Sequence, residues 1–402
     1  MKNLLLTFVG VLLVAVSTIS LSKTLNSNAA TTKHLSQPGA VTLPSAPAKL
    51  KQGWRLGTPV RHENLTIFPV LSDEAGSTDE FITLDAGLRS GKVKVTEMKA
   101  EPRRVTPRRI QNNNTAERQT PNAQRNIANQ EQILVAGDGA EVNKVLVTNN
   151  SGKTLVLIAG EFILGGKQDR IVGHDCIVAS TNTPMPIDVF CVEHGRWQAS
   201  SFGRNRTESH SGTGGGGGMS FGAAEEVMAA PNVRANAQAK KSQSEVWSEV
   251  ADKVSKNHVS TSTGTLNSVY NDKKVSTRLN DYQRAIKVKF ADKNIIGAVV
   301  AINGKILSAD VFASPQLFQA YQAKLLKSYA LEAISADKTK HQEVKAGDAE
   351  VFLSSSDGAE SAVEKEGVYR LAEKQSGSDA SFELVHTNKS SKLIHFNRVM
   401  KK

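Results

Sequence analysis

Aromatic residues make up 5% of this 402-residue chain, and it has only two cysteines and nine histidines. So few rings, set against thirty glycines, limit how much of the chain can pack. A core of roughly 250 residues is expected, with long unpacked segments around it. No CxxC, HxH or HExxH spacing occurs, so His174 and His194 with Glu161 and Glu193 form no recognisable metal site. There is no Gly-x-Ser-x-Gly elbow, which excludes a readable serine-hydrolase triad. The run Gly214–Gly218 lacks the Gly-Lys-Ser/Thr that a phosphate loop needs before a helix. No metal and no cofactor is therefore implied, and oligomeric state is not readable.

Apolar runs long enough for a membrane are also missing beyond residue 22. Lys2, the apolar stretch Leu4–Val16 and the tail Ser17–Ser22 read as an export signal. The alternative is an uncleaved anchor over Leu4–Leu21, at the lower edge of membrane length. No cysteine follows the run, so a lipoprotein anchor is excluded. The chain is expected to be periplasmic or extracellular after cleavage.

What the sequence has in plenty is positive charge. Its formal net charge is +11, and residues 91–130 hold nine Lys or Arg against three Glu. Without interleaved aromatics, and in an exported chain, this segment is read as a solvated basic loop able to touch an anionic envelope surface. No nucleic-acid partner is expected.

In chain order, residues 1–22 are the signal and 23–50 a polar tail. A domain over 51–340 follows, with insertions at 99–130 and 200–240. Residues 341–402 form a β-rich C-terminal extension. Leu65–Leu71, Phe81–Leu84, Lys92–Glu97, Gln132–Val135, Val142–Thr148 and Lys153–Ala159 read as strands of a meander, turning at Asn149–Gly152. Ser242 and Glu245 open a capped helix over 242–256, with Trp247, Val250, Ala251 and Val254 on one face. Leu279, Tyr282, Ile286 and Phe290 mark another. Ile295–Ile302 and Lys305–Val311 flank Asn303-Gly304, the preferred two-residue hairpin turn. Ser314-Pro315 starts a helix with an apolar stripe through Phe318, Tyr321, Leu325, Tyr329 and Ala333. Glu350–Leu353, Val368–Ala372, Phe382–His386 and Leu393–Asn397 read as short strands. The fold class is α+β, with a β-rich, meander- or sandwich-like N-terminal half followed by amphipathic helices and a hairpin.

The stretch Thr154–Trp197 concentrates the chemistry. Two apolar runs end in the polar clusters Gly165–Arg170 and Glu193–Trp197. If Thr181–Pro186 is a hairpin turn, a symmetric register sets Cys176 opposite Cys191, candidate disulfide partners in an exported chain. The same register brings the two clusters to one end. Glu161 and Glu193 are then candidate acid/base carboxylates. Lys167, Gln168, Arg170 and Arg196 could hold phosphate or sugar hydroxyls, and Trp197 a ring. The competing reading is a buried Glu–Arg network, through Glu161–Arg170 or Glu193–Arg196, that only fixes two turns together.

These residues resemble a known family. AGEFILGGKQDRI and VFCVEHGRW look like the signature of the ARG-and-rhodanese-phosphatase-superfamily-associated domain. The resemblance extends to FITLDAGLRSGKVKVTE, QSEVW and IGAVVAINGKILSADVFASPQLFQAYQAKLLKSYALEA, and so covers about residues 54–336. Its motif positions fall on Glu161, Gly166, Lys167, Gln168, Arg170, Cys191, Glu193, Arg196 and Trp197. Cys176, the signal and the basic insertion depart from it. The resemblance implies association with ADP-ribosylglycohydrolases and NAD or ADP-ribose metabolism, with no established reaction. Two functions are carried forward: an exported protein that binds or processes an ADP-ribose-like, nucleotide or sugar-phosphate ligand, and a non-catalytic β-rich protein of the envelope.

Overall fold

In the computed structural model the described residues are 50, 53–74, 76–99, 140–195, 221–287, 290, 292–337, 343–354, 358–388 and 391–402. The signal segment, the tail, Gln132–Val135, Arg196 and Trp197 lie outside them. So do residues 100–130 of the basic segment, residues 131–139, and residues 200–220 of the glycine-rich segment. No helix among the described residues is long and apolar enough to cross a membrane.

The fold is α+β, and the described residues form three sheets. The largest joins the two ends of the described chain. Its order is β1 (Trp54–Leu56), β3 (Leu65–Ser72), β13 (Ile295–Ile302), β14 (Lys305–Phe312), β18 (Lys392–Met400), β17 (Asp379–His386), β16 (Tyr369–Gln375) and β15 (Ala359–Lys365), with β2 (Val60–His62) also paired to β3. Every residue of β3 and β13 is buried, as expected of unbroken Val/Ile/Leu runs covered on both faces. The β13–β14 turn is the expected one, with Asn303 and Gly304 at φ of 52° and 80°. The segment read as a C-terminal extension continues this sheet, since β18 pairs with β14. Edge strand β15 is exposed along its whole length.

The second sheet runs β12 (Phe221–Met228), β8 (Glu161–Gly165), β9 (Arg170–Val172), β11 (Thr181–Cys191), β6 (Ala140–Asn149), β5 (Val93–Lys99). The third is short: β10 (Cys176–Val178), β7 (Thr154–Leu157) and β4 (Phe81–Thr83), with β4 parallel to β7. The expected meander is thus broken, because β7 leaves β6 for a different sheet.

The symmetric hairpin register is also overturned. Thr181–Pro186 is no turn but the exposed start of the eleven-residue β11, bulged between Thr181 and Met185. A bulged, solvent-facing stretch accommodates Pro184 and Pro186. Cys176 pairs with Leu157 and Cys191 with Arg170, in different sheets, and both thiols are free.

Helix α6 (Pro315–Ser335) is the longest helix of the described residues. Ser314 caps it, accepting from the Leu317 N–H at 3.1 Å. It is buried on nearly every face, beyond the predicted stripe, and its polar side chains reach different elements. Helix α3 (Gln243–Lys256) starts at Ser242, whose hydroxyl accepts from Glu245 N–H at 3.3 Å. The reciprocal half of the box is absent, since Ser242 N–H donates to Asn236 O and Glu245 pairs with Lys240. Its buried face is Val246, Glu249, Val250 and Lys253, while Ala251 is exposed. The face is turned from the expected one because Lys253 joins Glu249 (2.8 Å) and Glu332 (2.6 Å) inside the protein.

Two further expectations fail. Glu350–Leu353 lies in helix α7 (Ala346–Ser354), not in a strand. Half of the supposed insertion 200–240 is core: β12 pairs with β8, and α2 (Pro231–Gln238) is buried at every position. Three shorter or surface helices complete the set among the described residues: α1 (Leu84–Arg89), α4 (Leu266–Asn271) and the amphipathic α5 (Lys273–Lys287), buried at Val275, Leu279, Tyr282 and Ile286.

Candidate functional site

The Gly165–Arg170 and Glu193 clusters do meet, through the β9–β11 pairing. Val192 N–H donates to Asp169 O (2.9 Å), and Asp169 N–H donates to Glu193 Oε2 (3.1 Å). Gln168 Nε2 donates to Glu193 O at 3.3 Å. The Thr265 hydroxyl, at the start of α4, donates to Asp169 Oδ2 at 2.9 Å. Gln168, Asp169, Arg170 and Glu193 are all buried.

Arg170 pairs neither with Glu161 nor in the way the sequence suggested. Its two terminal nitrogens donate to Glu97, Nη1 to Oε1 at 3.1 Å and Nη2 to Oε2 at 3.0 Å. Lys167 N–H donates to the same Oε1 at 3.0 Å. Glu97 lies on edge strand β5, yet reaches Arg170 at the start of β9, three strands away, so the six-stranded sheet is strongly curled. The turn needs its glycine. Gly166 has φ +64°, and a Cβ there would stand 2.4 Å from Phe221 Cζ and 2.5 Å from Glu97 Oε1. The outcome is one carboxylate, its side chain 20% exposed, held by a fully buried planar fork and a backbone N–H.

Glu161 belongs to another cluster. It is fully buried, accepts from Ile158 N–H (2.9 Å) and is paired with Lys324 Nζ (2.8 Å). Lys324 also reaches Asp85 at 2.7 Å. Burial raises the Glu161 pKa against the pull of Lys324. The negative charge of Asp85 on the same ammonium adds to that rise. For Lys324 burial acts downward, and the two carboxylates outweigh it.

The thiols fit packing rather than catalysis. Burial pushes Cys191 up to about 11 against the opposing effect of Arg170, and burial lifts Cys176 higher still. The Gln243 side chain stands in for a strand neighbour of Cys191, donating to its carbonyl (2.8 Å) and accepting from its N–H (2.9 Å). His174 lies 3.7 Å from Asp188, while His194 meets Trp247 edge-on. Among the described residues no group of three His, Cys, Asp or Glu could hold a metal ion.

Sequence reasoning missed the largest buried charge cluster. Asp310, on β14, accepts from both Arg234 terminal nitrogens (3.1 and 2.6 Å), the Tyr329 hydroxyl (2.6 Å) and Asn397 Nδ2 (3.0 Å). His395 is set between Asp175 (2.6 Å) and Asp310 (3.4 Å). Burial works against the Asp310 charge, but Arg234 and His395 hold its pKa far below the usual range. Burial also opposes charge on His395, yet the two aspartates push it up to about 9. All of Arg234, Asp310, Asp175 and His395 are sealed from solvent. The available signal was Asp310 inside the apolar run ILSADVF, where a strand's inward positions should be nonpolar.

Residues 53–399 match the family model of the ARG and Rhodanese-Phosphatase-superfamily-associated Protein domain. No curated protein and no solved structure matches the chain.

Proposed function

The chain belongs to the ARG and Rhodanese-Phosphatase-superfamily-associated family, and on that premise we propose that it is an exported protein that binds a phosphate-bearing ligand at the Lys167–Arg170 turn. ADP-ribose-like molecules, nucleotides and sugar phosphates are the ligand class. One observation carries the reading: Lys167 N–H and both arms of Arg170 converge on a single carboxylate, that of Glu97. A planar guanidinium with an adjacent backbone donor is matched to any oxyanion with two oxygens about a carboxylate's width apart. In this reading Glu97 is the resident anion and the ligand's phosphate exchanges with it. Binding is favoured over turnover because Glu161 and Glu193 are buried and already bonded.

Calorimetry on the mature chain with ADP-ribose, NAD and sugar phosphates tests this. Binding is expected below millimolar, and Glu97→Gln should tighten it by about tenfold by removing the competing charge. If neither form, folded by circular dichroism, binds at millimolar ligand, the reading is lost. The second reading then stands, a non-catalytic β-rich envelope protein, which the closed bonding of Glu161 and Glu193 supports. N-terminal sequencing of the secreted chain checks export, and an intact Met1 would count against cleavage.

A further inference from the structure

A cleft of about 590 Å³ opens between α5 and α6, sharing no residue with the Arg170 turn. From α5 it is lined by Asn280, Gln283, Arg284 and Lys287, and from α6 by Gln319 and Gln322. On α5, residues 280, 284 and 287 follow the three- and four-residue spacing of one helix face, beside the stripe that α5 buries. The volume lies in the range of small-molecule sites.

The lining has a consistent chemistry. Four carboxamides border the cleft, of which Gln283 already donates to Ala323 O at 3.0 Å, and Asn280, Gln319 and Gln322 are each able to donate and accept, the pairing that sugar or glycerol hydroxyls require. Among the described residues the side chains of Asn280, Gln319, Gln322 and Lys287 make no hydrogen bond or ion pair. Arg284 and Lys287 supply positive charge. No carboxylate lines the cleft, and the nearby Asp281 is engaged by Arg284. Helix α5 carries Lys273, Lys274, Arg278, Arg284 and Lys287 against that one aspartate. No aromatic ring lines the cleft to stack a base.

We propose that the α5–α6 cleft is a binding site for a polyhydroxylated phosphate, with Arg284 and Lys287 on the phosphate and the carboxamides on the hydroxyls. That chemistry has two sources, a free sugar phosphate or the phosphoglycerol headgroup of an anionic lipid.

The test uses the full mature chain with glucose 6-phosphate and glycerol 1-phosphate followed by amide NMR, and with phosphatidylglycerol and phosphatidylcholine vesicles in sedimentation. Two double variants accompany it, Arg284→Glu with Lys287→Glu, and Asn280→Ala with Gln322→Ala. Apart from half-buried Gln322 these positions are exposed, so the folded spectrum should be kept. Binding read from the α5 and α6 amides should weaken by about tenfold in the first variant and several-fold in the second, and Glu97→Gln, which bears only on the Arg170 turn, should leave those amide shifts unchanged. Shifts of α5 and α6 amides with the soluble phosphates assign a free ligand. Selective sedimentation with phosphatidylglycerol, weakened in both variants, assigns the headgroup. Inorganic phosphate binding as tightly as glucose 6-phosphate, with the carboxamide variant unaffected, overturns the proposal as a bare basic patch. Absence of any shift or sedimentation at millimolar probe overturns it outright.

Discussion

The charge on His395 makes a specific demand on how stability changes with pH. Its ring lies 2.6 Å from Asp175 and 3.4 Å from Asp310, fully buried, and its pKa is pushed up to about 9 against an ordinary 6.5. A gap of about 2.5, at 1.36 kcal/mol per pH unit, is about 3 kcal/mol. Because the folded value is the higher one, this stabilisation is complete below about pH 6.5 and is lost as pH rises through about 9. The slope should approach 1.4 kcal/mol per pH unit between about pH 7 and 8.5. Glu161, raised by burial, also loses stability above its ordinary 4.5, in wild type and variant alike, so the difference between the two profiles isolates His395. His386 is lowered by burial and so acts below its ordinary 6.5, with stability lost as pH falls. Cys191 and Cys176 are raised and cost stability only above their ordinary 9.0. Urea unfolding at about pH 6.5, 7.5 and 8.5, on wild type and His395→Gln, reads the effect directly. Wild type should lose about 2 kcal/mol more than the variant across the series, a large share of a typical domain's margin. A flat wild-type profile, or an equal slope in His395→Gln, would refute a charged His395.

Two further outcomes follow from packing. Gly166→Ala should lower stability by about 1–3 kcal/mol, since the φ of +64° and the approach of Phe221 and Glu97 leave no place for a methyl group; an unchanged melting temperature would mean the turn is looser than described. Thiol titration without reductant should find neither cysteine reactive in the folded protein and both in denaturant. Thiols still absent after unfolding would restore the disulfide.

Local signals in the sequence translated well. Asn303-Gly304, Ser314-Pro315 and Ser242 each set a boundary where backbone chemistry alone is decisive. The meeting of Gln168–Arg170 with Glu193 was also foreseen, although by a register the strands do not adopt. What escaped were side chains whose role depends on distant partners. Arg234 falls in the stretch 200–240 expected to be an insertion, and Asp310, 76 positions on, explains its burial. Glu97 lies beside a basic run that invites a surface reading, and its partner Arg170 is 73 residues away. Lys253 turned α3 about its axis for the same reason, because a lysine with two buried carboxylates outranks the apolar stripe.

The exposed strand β15 has a consequence for solubility. It ends the largest sheet, so one side of its backbone is open to pairing with another chain, and Val363 stands 56% exposed on it. Glu360, Glu364 and Lys365 load that edge with charge, Glu360 being held by Arg370 at 3.0 Å and Lys374 at 3.6 Å. A second β15 laid antiparallel or parallel would have to desolvate those charges, and this is how a nine-stranded sheet with an open margin avoids growing into a ribbon of copies.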